Sequence, residues 1–158
     1  ILLAAQKFND APLKADWIIL ASELMLLPKI KVELSKKPSI DKLVDAKSVA
    51  LFLKNTPGLG KTQIGEFLSK GPADKYPFHA AVLSEYVNTF TFRKSITFVK
   101  ALRIFLSQFR LPGEAQCIDR LMEAFAIKLF HDLGPDNPFH KSDGAFILAF
   151  STIILDVF

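Results

Sequence analysis

From Ser48 to the end of the chain, apolar residues recur three and four positions apart, the spacing of one face of an α-helix. Val49, Phe52 and Leu53 predict a first helix, which Asn55-Thr56-Pro57-Gly58 stops. A short helix is expected from Thr62 to Leu68, closed by Gly71-Pro72. Between His79 and Phe90, the side chains of Val82, Leu83, Tyr86, Val87 and Phe90 share a face. Phe98, Leu102, Phe105, Leu106 and Phe109 form a further stripe, with Lys100, Arg103 and Gln108 opposite it. Ile118, Leu121, Met122, Phe125 and Leu129 mark the next helix. After Ser142, a suitable N-cap, the positions from Ala145 to Leu155 are apolar on nearly every side. Such a helix belongs at the centre of a fold or against a partner, lining a groove. No stretch alternates with period two, so the expected fold class is all-α.

Residues 28–47 break this rhythm with six lysines, three acids and two prolines, which predicts an exposed connection with at most one weak helical turn. A basic loop facing anionic lipid fits this composition. A solvated, variable loop fits it as well and is the commoner outcome of such charge runs.

Length and composition narrow the picture further. A chain of 158 residues suits one domain, 1–158. Half of the residues are hydrophobic, which excludes a disordered chain. Phe supplies 15 residues against 2 Tyr and 1 Trp, so the core is expected to consist of rings with few polar handles. The net charge of +4 fits a patch that faces anionic lipid or an acidic partner, and fits a solvated lysine-rich surface equally well. Cys117 is the single cysteine, which rules out an internal disulfide and suits a reducing compartment. The longest apolar runs fall short of a membrane span, so a soluble or peripheral protein is expected.

The sharpest local signal is Phe109-Arg110-Leu111-Pro112-Gly113-Glu114-Ala115-Gln116, where one amphipathic helix ends and another begins. Pro112 disfavours helix at Leu111, and Gly113 permits a sharp turn. Glu114 is thereby placed at a helix N-terminus, where the dipole favours an ionised carboxylate. On physics alone this has a plain explanation, because acidic residues are favoured in the first turn of any helix.

The same octet, continued by Ile118-Asp119-Arg120-Leu121-Met122-Glu123-Ala124-Phe125-Ala126, resembles the signature of the Sec7 domain of Arf guanine-nucleotide exchange factors. Further matches are Lys7-Phe8-Asn9 with Pro12, Pro57-Gly58-Leu59 with Ile64-Gly65-Glu66-Phe67-Leu68, Ala101-Leu102-Arg103 with Phe105-Leu106, and Ser142-Asp143 with Leu148-Ala149-Phe150-Ser151. Asn55 to Leu59 lean toward the large Golgi-type members. The resemblance implies a right-handed stack of short helices and a nucleotide exchange factor that performs no covalent chemistry. Glu114 would be the glutamate finger that enters the GTPase near the β-phosphate and expels magnesium. Arg110, Leu111, Pro112, Gly113 and Gln116 would contact a GDP-bound Arf-family GTPase. Phe146, Phe150, Ser151, Ile153 and Ile154 would line the groove that receives it, although apolar stripes at this spacing serve equally as core. The Phe150-Ser151 pair stands where the family's brefeldin sensitivity is influenced and matches neither usual pattern. The implied location is cytoplasmic, peripheral at Golgi or endosomal membranes, with no cofactor.

At Leu155 the resemblance stops, since the chain continues Asp156-Val157-Phe158 where the family has Asn-Thr-Asp. The domain is therefore expected to lack its last helices, and a helical module that docks a GTPase without exchange is the alternative function. Three other readings fail on spacing. Gly60-Lys61-Thr62 would need a glycine where Asn55 stands and a preceding strand to form a phosphate-binding loop. His79, His131, His140 and Cys117 lack metal-ligand spacing. The arginines are too scattered for a nucleic-acid face. Cys117 is expected to be an ordinary buried thiol.

Overall fold

The computed structural model describes residues 2–23, 44–135 and 137–157. Among them every regular element is an α-helix: α1 (Leu2–Asp10), α2 (Asp16–Glu23), α3 (Ala46–Asn55), α4 (Lys61–Leu68), α5 (Pro77–Asn88), α6 (Phe98–Leu106), α7 (Ala115–Leu133) and α8 (Ser142–Val157). The all-α expectation holds over these residues.

Local chemistry sets the boundaries. Asp45 caps α3, its Oδ1 accepting from the Ser48 backbone N–H at 2.9 Å and its Oδ2 from the Ser48 hydroxyl at 2.6 Å. Pro77 stands in the first turn of α5, where its missing N–H costs nothing. Gly134, at φ 73°, ends α7 in a conformation that a side chain would oppose.

Several boundaries differ from those the spacing predicts. The connection expected over 28–47 ends earlier, because Val44 is fully buried, Asp45 is a cap, and Ala46 and Lys47 already belong to α3. The rest of that connection, through Leu43, lies outside the described residues. Helix α6 stops at Leu106, since Ser107 and Gln108 turn the chain, yet Phe109 is still buried. Ser142 is the first residue of α8 rather than its cap. Periodicity from Ser48 onward also passed over α1, whose buried Ala4, Ala5 and Phe8 do recur at helical spacing.

Rings form the centre. Trp17 stacks on Phe52 at 5.4 Å and meets Phe8 and Phe67 edge-on at 5.1 and 5.6 Å. Its indole N–H donates to the Pro12 carbonyl at 2.9 Å, satisfying the one polar atom buried there. In the other half, Phe105 touches Phe90, Phe109 and Phe125 with centroids 5.4, 5.0 and 5.3 Å away. Tyr86, on α5, joins this cluster through Phe90 and Phe109.

One buried polar group sits uneasily in this core. His79 is 8% exposed, its ring lies 4.6 Å from that of Phe67, and its Nε2 has no hydrogen-bond partner among the described residues. Burial, with the charge of Lys70 adding, pulls its pKa down to about 4. The unfolded chain takes up this proton near pH 6.5, so stability is complete above that value and falls as the pH drops toward the folded value. Acidification from pH 7 to 5 is expected to cost on the order of 1–2 kcal/mol through this group. Urea midpoints at the two pH values, measured for the unaltered chain and for His79→Gln, check this, the variant having the smaller pH difference.

Candidate functional site

The turn between α6 and α7 is built on α4. Ser107 caps the C-terminal end of α6, and its carbonyl accepts from the Lys61 ammonium at 2.6 Å. The Arg110 N–H donates to the Lys61 carbonyl at 3.0 Å. One helical turn along α4, Gly65 is buried beneath the Arg110 carbonyl, and a Cβ there would run into that oxygen and approach the Phe109 ring. A glycine is needed here for close approach, since Gly65 lies inside a regular helix. Phe109 plugs the core beneath the turn, so its start is held by one ring and two hydrogen bonds.

Beyond this mooring the chain rises into solvent. Leu111 and Pro112 are half-buried, while Gly113 has open space around its Cα. Glu114 is the N-cap of α7, with φ −86° and ψ 128°, and its backbone carbonyl accepts from Cys117 and Ile118 at 3.0 and 3.1 Å. Its side chain does not cap the helix. The carboxylate is exposed, forms no ion pair among the described residues, and has only the Cys117 thiol near it, at 3.9 Å. The carboxylate stands at the N-terminal end of a 19-residue helix. A negative charge is therefore held at a fixed corner with no ion-pair partner among the described residues.

Helix α8 lies along α7 and buries Ala145, Ala149 and Ile153, one row of its surface. The opposite face is open, with Ile147 61% and Leu155 79% exposed and Leu148 beside them. The expectation of a helix apolar on all sides is met by this two-faced arrangement. Phe146 and Phe150 are half-buried and stack on one another at 6.1 Å, and Ser151 is exposed. Ile153 faces the interior, and the side chain of Ile154 lies outside the described residues. A cavity of about 390 Å³ opens between α7 and α8, lined by Asp119, Glu123, Ala126, Ile127, Asp143 and Phe146. Its first residue, Asp119, is five positions beyond Glu114, about 8 Å along the helix axis. Arg110 and Gln116 are exposed beside the turn. The structure thus brings Arg110 to Gln116 together at the corner and places Phe146 in the α7–α8 cavity.

Several features escaped the sequence reading. Lys61 and Gly65 moor the turn, and the lone glycine within a helical pattern was the available signal. The acids at 119, 123 and 143 rim the α7–α8 cavity, the first two spaced four apart on one helix. Cys117 is partly exposed, contrary to the buried thiol expected. A larger cavity, about 460 Å³, runs between α5 and α7 along Leu83, Val87, Ala124 and Ile127 and touches neither Glu114 nor the turn. Gly60 serves as the N-cap of α4 and follows helix α3 instead of the strand that a phosphate-binding loop requires.

Residues 2–157 match the family described as the Sec7 domain. The chain belongs to the Sec7 domain family. It is 40% identical over 154 residues to the ADP-ribosylation factor guanine nucleotide-exchange factor sec71 of Schizosaccharomyces pombe, covering 97% of this chain and 7% of that protein. It therefore spans a small fraction of that relative. Among solved structures, the Sec7p catalytic domain superposes with a TM-score of 0.77 at 32% identity, over 97% of this chain and 72% of that one. A Sec7 domain bound to ARF1-GDP and complexed with brefeldin A superposes with a TM-score of 0.75 at 28% identity, over 98% of this chain and 66% of that one. These similarities establish the Sec7 fold and homology to Arf exchange factors.

The closeness of Gly65 to the Arg110 carbonyl gives a direct test of the mooring. In Gly65→Ala the methyl group must displace either α4 or the turn. The overpacking cost, about 1–3 kcal/mol, exceeds the gain of about 0.5–1 kcal/mol from alanine in a helix. A net loss of about 1–2 kcal/mol in urea unfolding is expected.

Proposed function

We propose that this chain promotes GDP release from an Arf-family GTPase, with Glu114 as the group that disturbs the nucleotide's phosphates and magnesium. The observation that carries this reading is the exposed carboxylate of Glu114, which has no ion-pair partner among the described residues, on a moored corner. Phosphate binding relies on positive charge and a metal bridging the oxygens. A unit negative charge brought within about 4 Å of another, at an effective dielectric near 20, is repelled by about 4 kcal/mol. Directed at the β-phosphate, that repulsion speeds release by about a thousandfold. The same carboxylate competes for the lysine and the magnesium that hold the phosphate. No bond is made or broken, so the effect is on release alone.

Docking precedes this step. The turn residues Arg110, Leu111, Pro112, Gly113 and Gln116, the α7–α8 cavity and the open face of α8 are taken as the apolar and polar docking surface. Phe146, Phe150, Ser151 and the Ile153–Ile154 segment belong to the helix that offers it. The partner is taken to be a GDP-bound Arf, as in the solved complex of a Sec7 domain with ARF1-GDP. The site of action is cytoplasmic, peripheral at Golgi or endosomal membranes, and no described helix is long and apolar enough to cross a membrane.

The exposed Ile147 and Leu155 favour a second reading, a module that docks an Arf without releasing its nucleotide. Release of fluorescent GDP from an N-terminally truncated Arf separates the two. Acceleration by the chain supports exchange, whereas binding with an unchanged release rate supports docking alone.

A further inference from the structure

The first turn of α4 contains no acidic residue and opens with a lysine. A cation there opposes the helix dipole, which favours negative charge at this end. Lys61 is relieved of this conflict by reaching sideways. Its ammonium donates to the Ser107 carbonyl at 2.6 Å, at the C-terminal end of α6, where carbonyls lack intrahelical partners and the dipole welcomes a cation. Its own backbone carbonyl accepts from the Arg110 N–H at 3.0 Å. A single residue therefore grips the turn at both 107 and 110.

We propose that Lys61 is a positioning residue for Glu114, acting through the turn and never touching the nucleotide; this rests on the exchange reading above. The link from 110 to 114 is short, and of its three intervening residues only Gly113 is free to bend. Pro112 fixes its own φ and restricts Leu111 before it, and both are half-buried. An error in the placement of Arg110 is thus carried to the carboxylate, and a misplacement of about 1 Å is enough to cost as much as a hundredfold in a reaction that depends on geometry. The Lys61 side chain is exposed, so its removal leaves no cavity.

The test compares the unaltered chain with Lys61→Met and Lys61→Arg in three measurements: hydrogen exchange of the amides from 107 to 114, kcat and KM for GDP release from a truncated Arf, and the thermal midpoint. A hydrogen bond from a charged donor is worth about tenfold in an opening equilibrium. Lys61→Met should therefore speed amide exchange in the turn by about tenfold and lower kcat by a similar factor, with KM within about twofold. The thermal midpoint should move by no more than about 2 °C, as for other surface substitutions. Lys61→Arg, which keeps the donor and the charge, should restore most of both losses. Unchanged amide exchange in Lys61→Met overturns the proposal, as does a loss of kcat that appears only with a fall in the thermal midpoint. If the unaltered chain releases no GDP, the exchange reading fails, and the amide measurement still decides whether Lys61 holds the turn.

Discussion

Glu114→Lys is expected to slow catalysed GDP release by about a thousandfold, down to the spontaneous rate, while the folded chain keeps its stability. Glu114 is exposed and makes no hydrogen bond that caps α7, so folding loses little when it is replaced. A lysine there adds a cation at the positive end of a helix, which costs a few tenths of a kcal/mol to about 1 kcal/mol. The effect on release is of a different order, because a charge that repelled the phosphate becomes one that attracts it. Fluorescent-GDP release together with a urea midpoint checks both halves of this expectation. Parallel loss of release and stability would mean that Glu114 serves the fold instead.

Phe105→Ala should have the largest effect on stability, about 3–5 kcal/mol in urea unfolding. Phe105 is fully buried and meets the rings of Phe90, Phe109 and Phe125 at once. It therefore ties α6 and α7 to the segment just past α5, directly beneath the turn. Domains of this kind are stable by only about 5–15 kcal/mol, so the variant would stand close to unfolding at ordinary temperature. Because Phe109 loses its neighbour, release should fall even under conditions where the variant is still folded. An unfolding midpoint close to that of the unaltered chain would show that the aromatic cluster carries less of the stability than its burial suggests.

Much of this arrangement was legible in the sequence where periodicity was strong. The stripes at Val82–Phe90, Phe98–Phe109 and Ile118–Leu129 correspond to α5, α6 and α7, with most of the expected residues buried, Phe98, Leu106 and Ile118 half-buried, and Phe90 and Phe109 just past the helix ends. Helix ends are less legible than helix faces. Asp45 has a carboxylate that looks like one more charge in a lysine-rich run, yet it caps α3 because Ser48 stands three positions later to donate. Phe109 continues the apolar spacing of α6 although the helix has already ended, since a ring can fill the core from a turn as well as from a helix. The corner at Glu114 was legible from Pro112, Gly113 and the helix that follows. Its mooring was not, because Lys61 and Gly65 lie some fifty residues earlier, and only the tertiary fold brings them under Arg110. Ile153 shows the complementary failure: a helix apolar all round does not reveal which row will be buried, and that row was set by contact with α7.

The most direct measurement replaces charge and nothing else. Glu114→Gln keeps the length and shape of the side chain while removing its negative charge. GDP release from a truncated Arf, measured beside the affinity of each form for Arf-GDP, should fall by at least about a hundredfold in the glutamine variant with affinity within about threefold. A glutamine variant that releases GDP as fast as the unaltered chain would contradict the role assigned to the carboxylate.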